Sequence, residues 1–194
     1  MVILVDSREQ KKLKFKIDHI VTEVKVLKLD VGDYAAEYID GSRCPVVFER
    51  KSLGDLFGTM TKGYPRFKKE MGRAAESETR LVLAIEAGCD DIIKGYRHSR
   101  FPGESMVQKL QTLWMRYNLP HLFLGDSKTM AKYIRGFFVN YGMETKRGGG
   151  RKKGNAKASS SSTRYSHTKT RRKSDKSGTK VHKMVQATSA NTAG

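Results

Sequence analysis

Cysteine is scarce in this chain. Among 194 residues only Cys44 and Cys89 occur, far apart and outside any metal-ligand spacing. Ordinary thiols in a reducing, intracellular setting are therefore expected, not a disulfide framework. That setting would be the cytoplasm of a bacterial or viral host, or a eukaryotic nucleus. The five histidines (His19, His98, His121, His167 and His182) are scattered and form no zinc constellation. No apolar run approaches the roughly 18 residues that would cross a bilayer, so no membrane span is expected. The apolar opening, residues 1–5, is too short for the core of a secretion signal and runs straight into Asp6. Acidic residues are outnumbered: 20 Asp and Glu stand against 38 Lys and Arg, a formal charge of +18. A surface this basic attracts polyanions, and nucleic acid is the expected partner class.

Large apolar residues almost vanish after Glu144. Residues 145–194 hold a glycine triplet, a serine run and basic clusters such as Arg151-Lys152-Lys153 and Arg171-Arg172-Lys173. Fourteen Lys and Arg there face only Asp175, which places +13 of the +18 in this segment. Such a composition cannot bury enough surface to offset chain entropy. The expectation is a folded domain over 1–144 and a disordered basic C-terminal tail over 145–194.

Within the domain the patterning alternates between strands and helices. Residues 1–5 read as a buried strand, 21–29 as an alternating one, and 80–86 as a strand covered on both faces. Residues 34–39 and 45–50 flank Asp40-Gly41-Ser42, a turn signal that predicts an antiparallel hairpin. Residues 11–20 carry Leu13, Ile17 and Ile20 at helical spacing, an ambiguous short stripe. Ser52 is positioned to cap a helix reaching about Met60. Further helices are expected over 65–77 and 104–117, the latter with Val107, Leu110, Trp114 and Tyr117 as its stripe. After a short strand at 121–124, a last helix is capped by Ser127 and presents Met130, Ile134, Phe137, Phe138 and Tyr141. This is a mixed α/β layer pattern.

The chemistry concentrates in Gly32-Asp33 and in Glu49-Arg50-Lys51. Residues two apart on a strand share a face, so Glu49 and Lys51 project together, and the hairpin returns Asp33 beside them. Two carboxylates and an amine suit a hard divalent cation and a phosphate, because Mg²⁺ takes oxygen ligands and keeps sites for water and substrate. That combination is phosphodiesterase chemistry. Hairpin closure would otherwise cluster like charges to no purpose.

The linked set Gly32-Asp33, Glu49-Arg50-Lys51 and Asp55, with Asp6-Ser7-Arg8-Glu9 ahead of it, resembles the signature of the XPF family of structure-specific DNA endonucleases. The resemblance covers about one domain's length. It implies a restriction-endonuclease-like mixed sheet flanked by helices, and Mg²⁺-dependent cleavage of DNA, with Mn²⁺ as a substitute ion. The implied substrates are branched or flap DNA and single/double-strand junctions met in repair, recombination or replication. Asp33 and Glu49 are the expected metal ligands, and Lys51 would hold the attacking hydroxide or the phosphate. Asp6 and Glu9 are candidates for a further ligand or an acceptor behind the ligands. Asp55 is expected to steady Lys51 or Arg50. Arg8 and Arg50 would pair with phosphate or with those acids. Arg66, Lys68 and Lys69 are candidate DNA-backbone contacts, which position a protein without reading bases. A homodimer is expected from Phe137, Phe138, Tyr141 and Trp114, since the nuclease domains of that family pair through comparable helices. Many relatives add tandem helix-hairpin-helix domains, a pattern that residues 145–194 do not show. The rival readings are a non-catalytic DNA-binding subunit of a nuclease complex and a nucleic-acid packaging protein.

Overall fold

The computed structural model describes residues 1–148; the predicted tail over 145–194 lies almost wholly outside them. The elements run β1 (Val2–Asp6), β2 (Glu23–Leu27), β3 (Tyr34–Glu37), β4 (Val46–Ser52), α1 (Leu53–Met60) and α2 (Tyr64–Glu76). They continue with β5 (Arg80–Glu86), α3 (Cys89–Lys94), α4 (Gly103–Tyr117), β6 (His121–Phe123) and α5 (Ser127–Gly148). The last helix continues past Glu144, the predicted domain edge. None of these helices is long and apolar enough to cross a membrane.

The strands form one mixed sheet in the order β2-β1-β3-β4-β5-β6. β1 runs parallel to β2 and antiparallel to β3, β3 is antiparallel to β4, and β4, β5 and β6 are mutually parallel. The predicted hairpin is β3–β4, with Gly41 at φ +78° in its turn. β1 and β5 are apolar without alternation because the sheet is covered on both sides. One face carries Leu4, Val47, Leu83 and Ile85 against Leu56, Phe57, Phe67, Met106 and Leu110. The other carries Ile3, Val5, Phe48, Val82 and Ala84 against Met130, Ile134 and Phe138 of α5. Phe48 meets the rings of Phe137 and Phe138 edge-on at 5.2 and 5.5 Å.

Residues 11–20 form no helix. Leu13 and Val21 instead enter the α5-side core, while Ile17 is 59% exposed. Their backbone groups find partners outside any helical ladder. Tyr34 Oη accepts from Leu13 N–H, Asp18 Oδ1 accepts from Ile20 and Val21, and the N-terminal ammonium donates to Ile20 O.

Two helix readings need correction. α4 buries Gly103, Met106, Leu110 and Leu113, whereas Trp114 and Tyr117 are 51% and 48% exposed. The true stripe is rotated by about one residue because Gly103 sits against α3: a Cβ there would lie 2.2 Å from Ile92 O. At α5 the cap is Asp126, not Ser127. Its carboxylate accepts from the Lys128 and Thr129 amides at 2.8 and 2.9 Å. The apolar face of α5 is largely used by its own sheet. Phe138 is fully buried and Tyr141 stacks on Tyr38, so of the residues behind the dimer expectation only Trp114 stands well exposed.

The α4 register predicts a sharp contrast between neighbours. Leu110→Ala should cost about 2–5 kcal/mol, the usual range for a buried leucine. Trp114→Ala, at protein concentrations too low for a dimer to contribute, should stay close to wild type. Urea unfolding measures both, and equal losses would contradict the register.

Candidate nuclease site

The site lies at one end of the sheet, and β4 builds most of it. Side-chain alternation sends Val47, Glu49 and Lys51 toward the α1–α2 side and Phe48 and Arg50 toward the α5 side. Glu49 and Lys51 therefore meet, the Lys51 ammonium contacting Glu49 Oε1. Arg50, on the other face, donates through Nε to Glu86 Oε2 at 3.0 Å and again through Nη2. Its Nη1 donates to Glu9 Oε1 at 3.0 Å and to Lys11 O.

Asp33 is brought beside Glu49 by backbone pairing. Its N–H donates to Phe48 O and its carbonyl accepts from Asp6 N–H, both at 2.8 Å. Its Oδ2 accepts from Arg50 N–H at 2.8 Å. Gly32 makes this approach feasible: it sits at φ +71°, and a Cβ there would meet Val47 Cγ2 at 3.1 Å and Phe48 O at 3.2 Å. The Gly-Asp pair thus joins a steric requirement to a carboxylate placed beside Glu49.

These residues open into a cleft of about 1070 Å³. Its walls include Arg8, Glu9, Asp33, Glu49, Arg50, Lys51, Asp55 and Glu86, and from α2 Arg66, Lys69, Glu70 and Arg73. The α2 contribution follows from helical spacing: 66, 69, 70 and 73 share one face, while Phe67 and Ala74 are buried on the other. Lys68 falls outside this wall, contrary to its expected grouping with Arg66 and Lys69.

Several roles differ from the sequence expectation. Asp6 is 1% exposed and points its oxygens at protein donors. It accepts from Arg8 N–H, Nε and Nη2 and from Leu29 N–H, leaving no vacancy for a metal. Arg8, tied to Asp6 and to Leu29 O, still lines the cleft with a side chain 56% exposed. Glu9 is engaged by Arg50. Asp55 steadies neither Lys51 nor Arg50; it accepts from Ser52 Oγ at 2.5 Å and donates its N–H back at 3.2 Å, closing the α1 cap. Glu70, Arg73 and Glu86 are site residues that the motif did not flag.

Burial is the main electrostatic fact. It pushes the Glu49 carboxyl up to about 8, opposed by Lys51 and reinforced by Asp33 and Glu70. It pushes Asp33 up to about 6, opposed by the Arg50 amide and Lys51 and reinforced by Glu9 and Glu70. Burial also works against the Lys51 charge, but Glu49 and Asp33 outweigh it and hold the proton. Glu49 Oε2 is buried with no hydrogen-bond partner among the described residues. An orphaned buried carboxyl oxygen is costly, and a cation is a partner that would satisfy it. No group of three or more His, Cys, Asp or Glu side chains is arranged to hold a metal among the described residues. Two carboxylates, Asp33 and Glu49, remain, and Glu9 does not join them. That donor set fits Mg²⁺, which commonly takes one or two carboxylates and fills its shell with water and substrate phosphate.

The model of the ERCC4 domain family matches residues 5–137. Among solved structures, XPF from Aeropyrum pernix is 20% identical, with a TM-score of 0.53 over 75% of this chain and 68% of that one. XPF from Aeropyrum pernix in complex with DNA is 18% identical, with a TM-score of 0.53 over 74% of this chain and 66% of that one. The chain spans about two thirds of the length of both. At such identities the likeness shows the fold, the restriction-endonuclease-like sheet. A search of curated sequences gives no significant match.

The raised carboxyl pKa values carry a linkage consequence. Both lie above the ordinary values of 3.8 and 4.5, so the folded chain binds extra protons between about pH 4 and about pH 8. Stability from these groups is present at low pH and lost as pH rises through that window. Thermal unfolding in chelator should show Tm falling from about pH 5 to about pH 8 by less in Glu49→Gln than in wild type. Identical pH slopes would contradict the assignment.

Proposed function

We propose, since the chain belongs to the ERCC4-domain family and carries an XPF-type nuclease domain, that it is a divalent-metal-dependent, structure-selective DNA endonuclease. The observation that carries this reading is the buried Glu49 oxygen, unpartnered among the described residues, beside Asp33 in a cleft whose α2 wall carries Arg66, Lys69 and Arg73. Asp33 and Glu49 would hold the ion, with Mg²⁺ favoured by the all-oxygen donors and Mn²⁺ compatible with them. When bound, such an ion supplies Lewis-acid neutralisation of phosphoryl charge and acidifies water.

The chain's own residues account for the remaining tasks. Lys51 places a compact positive charge in the cleft, suited to a phosphate oxygen or the attacking hydroxide. Arg8, oriented by Asp6, offers a guanidinium to the backbone of the bound strand. Arg66, Lys69 and Arg73 extend that backbone track along α2. These would be phosphate contacts, which position a protein without reading bases, and selectivity for branches, flaps or single/double-strand junctions belongs to the same reading. The basic residues beyond 144 would add sequence-independent attraction that weakens steeply with salt. Repair, recombination or replication is the matching cellular use. A homodimer belongs to the same reading, through the exposed Trp114, Met115 and Tyr117 of α4.

Asp33→Asn and Glu49→Gln should each lower metal-dependent cutting of flap, fork and junction DNA by at least about 10²–10³-fold, the scale of losing one preorganised electrostatic partner. DNA binding should be largely retained. Parallel loss of binding and cutting, or no cutting by wild type on any branched substrate, would contradict the proposal and favour a non-catalytic DNA-binding subunit. Sedimentation at micromolar concentration should show a dimer; a monomer there removes that part of the reading.

A further inference from the structure

We propose that Glu70 of α2 sets the charge of the cleft: its carboxylate steadies the Gly32-Asp33 turn and adds to the field that captures the divalent cation. This rests on the reading that Asp33 and Glu49 hold such an ion.

The argument begins with placement. Four residues of α2 line the cleft, and three of them are cations. A wall that only tracked a phosphate backbone would gain nothing from an acid among them, since a carboxylate repels a polyanion. Glu70 is half-buried and accepts from Gly32 N–H at 3.3 Å, next to the peptide that positions Asp33. That contact is long for an amide hydrogen bond, and an uncharged acceptor would serve it equally. The hydrogen bond alone therefore does not explain the charge.

The second observation is Glu49. It is 6% exposed, lines the same cleft, and its Oε2 has no partner. Glu70, Asp33 and Glu49 line the cleft together with the Lys51 ammonium, so a divalent cation held by Asp33 and Glu49 would feel the Glu70 charge as well. Glu70 does not complete a three-donor cage with Asp33 and Glu49 among the described residues. Its role is that of a positioning and charge-setting residue behind the ligands, a class whose loss typically costs 10–100-fold in metal affinity or activity.

The test titrates the full-length, metal-free chain with Mn²⁺ by calorimetry, in wild type, Glu70→Gln, Glu70→Ala and Asp33→Asn. Glutamine keeps an acceptor for the Gly32 amide and removes only the charge. The expected result is Mn²⁺ affinity weakened about 10-fold in both Glu70 variants. Metal-free Glu70→Gln should melt at or above the wild-type temperature, and the affinity difference should shrink in high salt as the field is screened. Wild-type affinity in Glu70→Gln would overturn the inference, and weak binding by Glu70→Ala alone would then assign Glu70 to holding the turn. If wild type binds and Asp33→Asn does not, while Glu70→Gln is unchanged, only this inference falls. If wild type binds no Mn²⁺, the cation site itself falls with it.

Discussion

The Asp33 peptide is tied to both neighbouring strands: its carbonyl to Asp6 on β1, its amide to Phe48 on β4, and its carboxylate to the Arg50 amide. Three short hydrogen bonds from one residue leave it little freedom, and they fix where its remaining carboxylate oxygen points. The arrangement exists only because Gly32 tolerates positive φ and offers no Cβ to Val47 or the Phe48 carbonyl. From that stitch the geometry of the cleft follows. Asp33 is set beside Glu49, and β1 is brought close enough for Asp6 to orient Arg8.

Strand alternation then divides the charges of β4 between two faces. Glu49 and Lys51 project on the α1–α2 side, while Arg50 turns to the α5 side and gathers Glu9 and Glu86, all five bordering the cleft. The Arg50 cluster has two carboxylates for one guanidinium and satisfies its donors, so it braces the ends of β1, β4 and β5. The Glu49 side is different. It keeps carboxylates in surroundings that favour their protons and leaves one oxygen without a partner. Natural proteins retain local inconsistencies of this kind where a ligand resolves them, at some expense in stability. The contrast between a satisfied network and an unsatisfied one, on opposite faces of one strand, sets the Arg50 side apart from the Glu49 side.

Much of this was readable from residue pattern. The unbroken apolar runs of β1 and β5, the Asp-Gly-Ser turn, and the Ser52 cap were local signals, and the structure follows them. Glu49 and Lys51 were placed by period-two geometry alone. The signals that misled were equally local. Residues 11–20 carry helical spacing, yet their backbone is satisfied by Tyr34 and Arg135 from distant sequence and locally by the Asp18 carboxylate. Trp114 continues the helical spacing of Val107 and Leu110, but the close approach at Gly103 decides which side of α4 faces inward. Glu70, Arg73 and Glu86 carried no motif; their importance depends on which face of α2 and which end of β5 border the cleft. Such facts belong to packing, as does the pairing of Asp6 with Arg8 and of Glu9 with Arg50.

The central claim is that Asp33 and Glu49 share one cation at the end of the sheet. Diffraction from crystals soaked in Mn²⁺, with data collected near the manganese absorption edge, tests it most directly. The account predicts an anomalous peak within ligand distance of both carboxylates, roughly 2.0–2.2 Å for a small divalent ion. It also predicts that the Glu49 oxygen now without a partner is engaged. A peak elsewhere, or none in a crystal whose cleft is open to solvent, would contradict it.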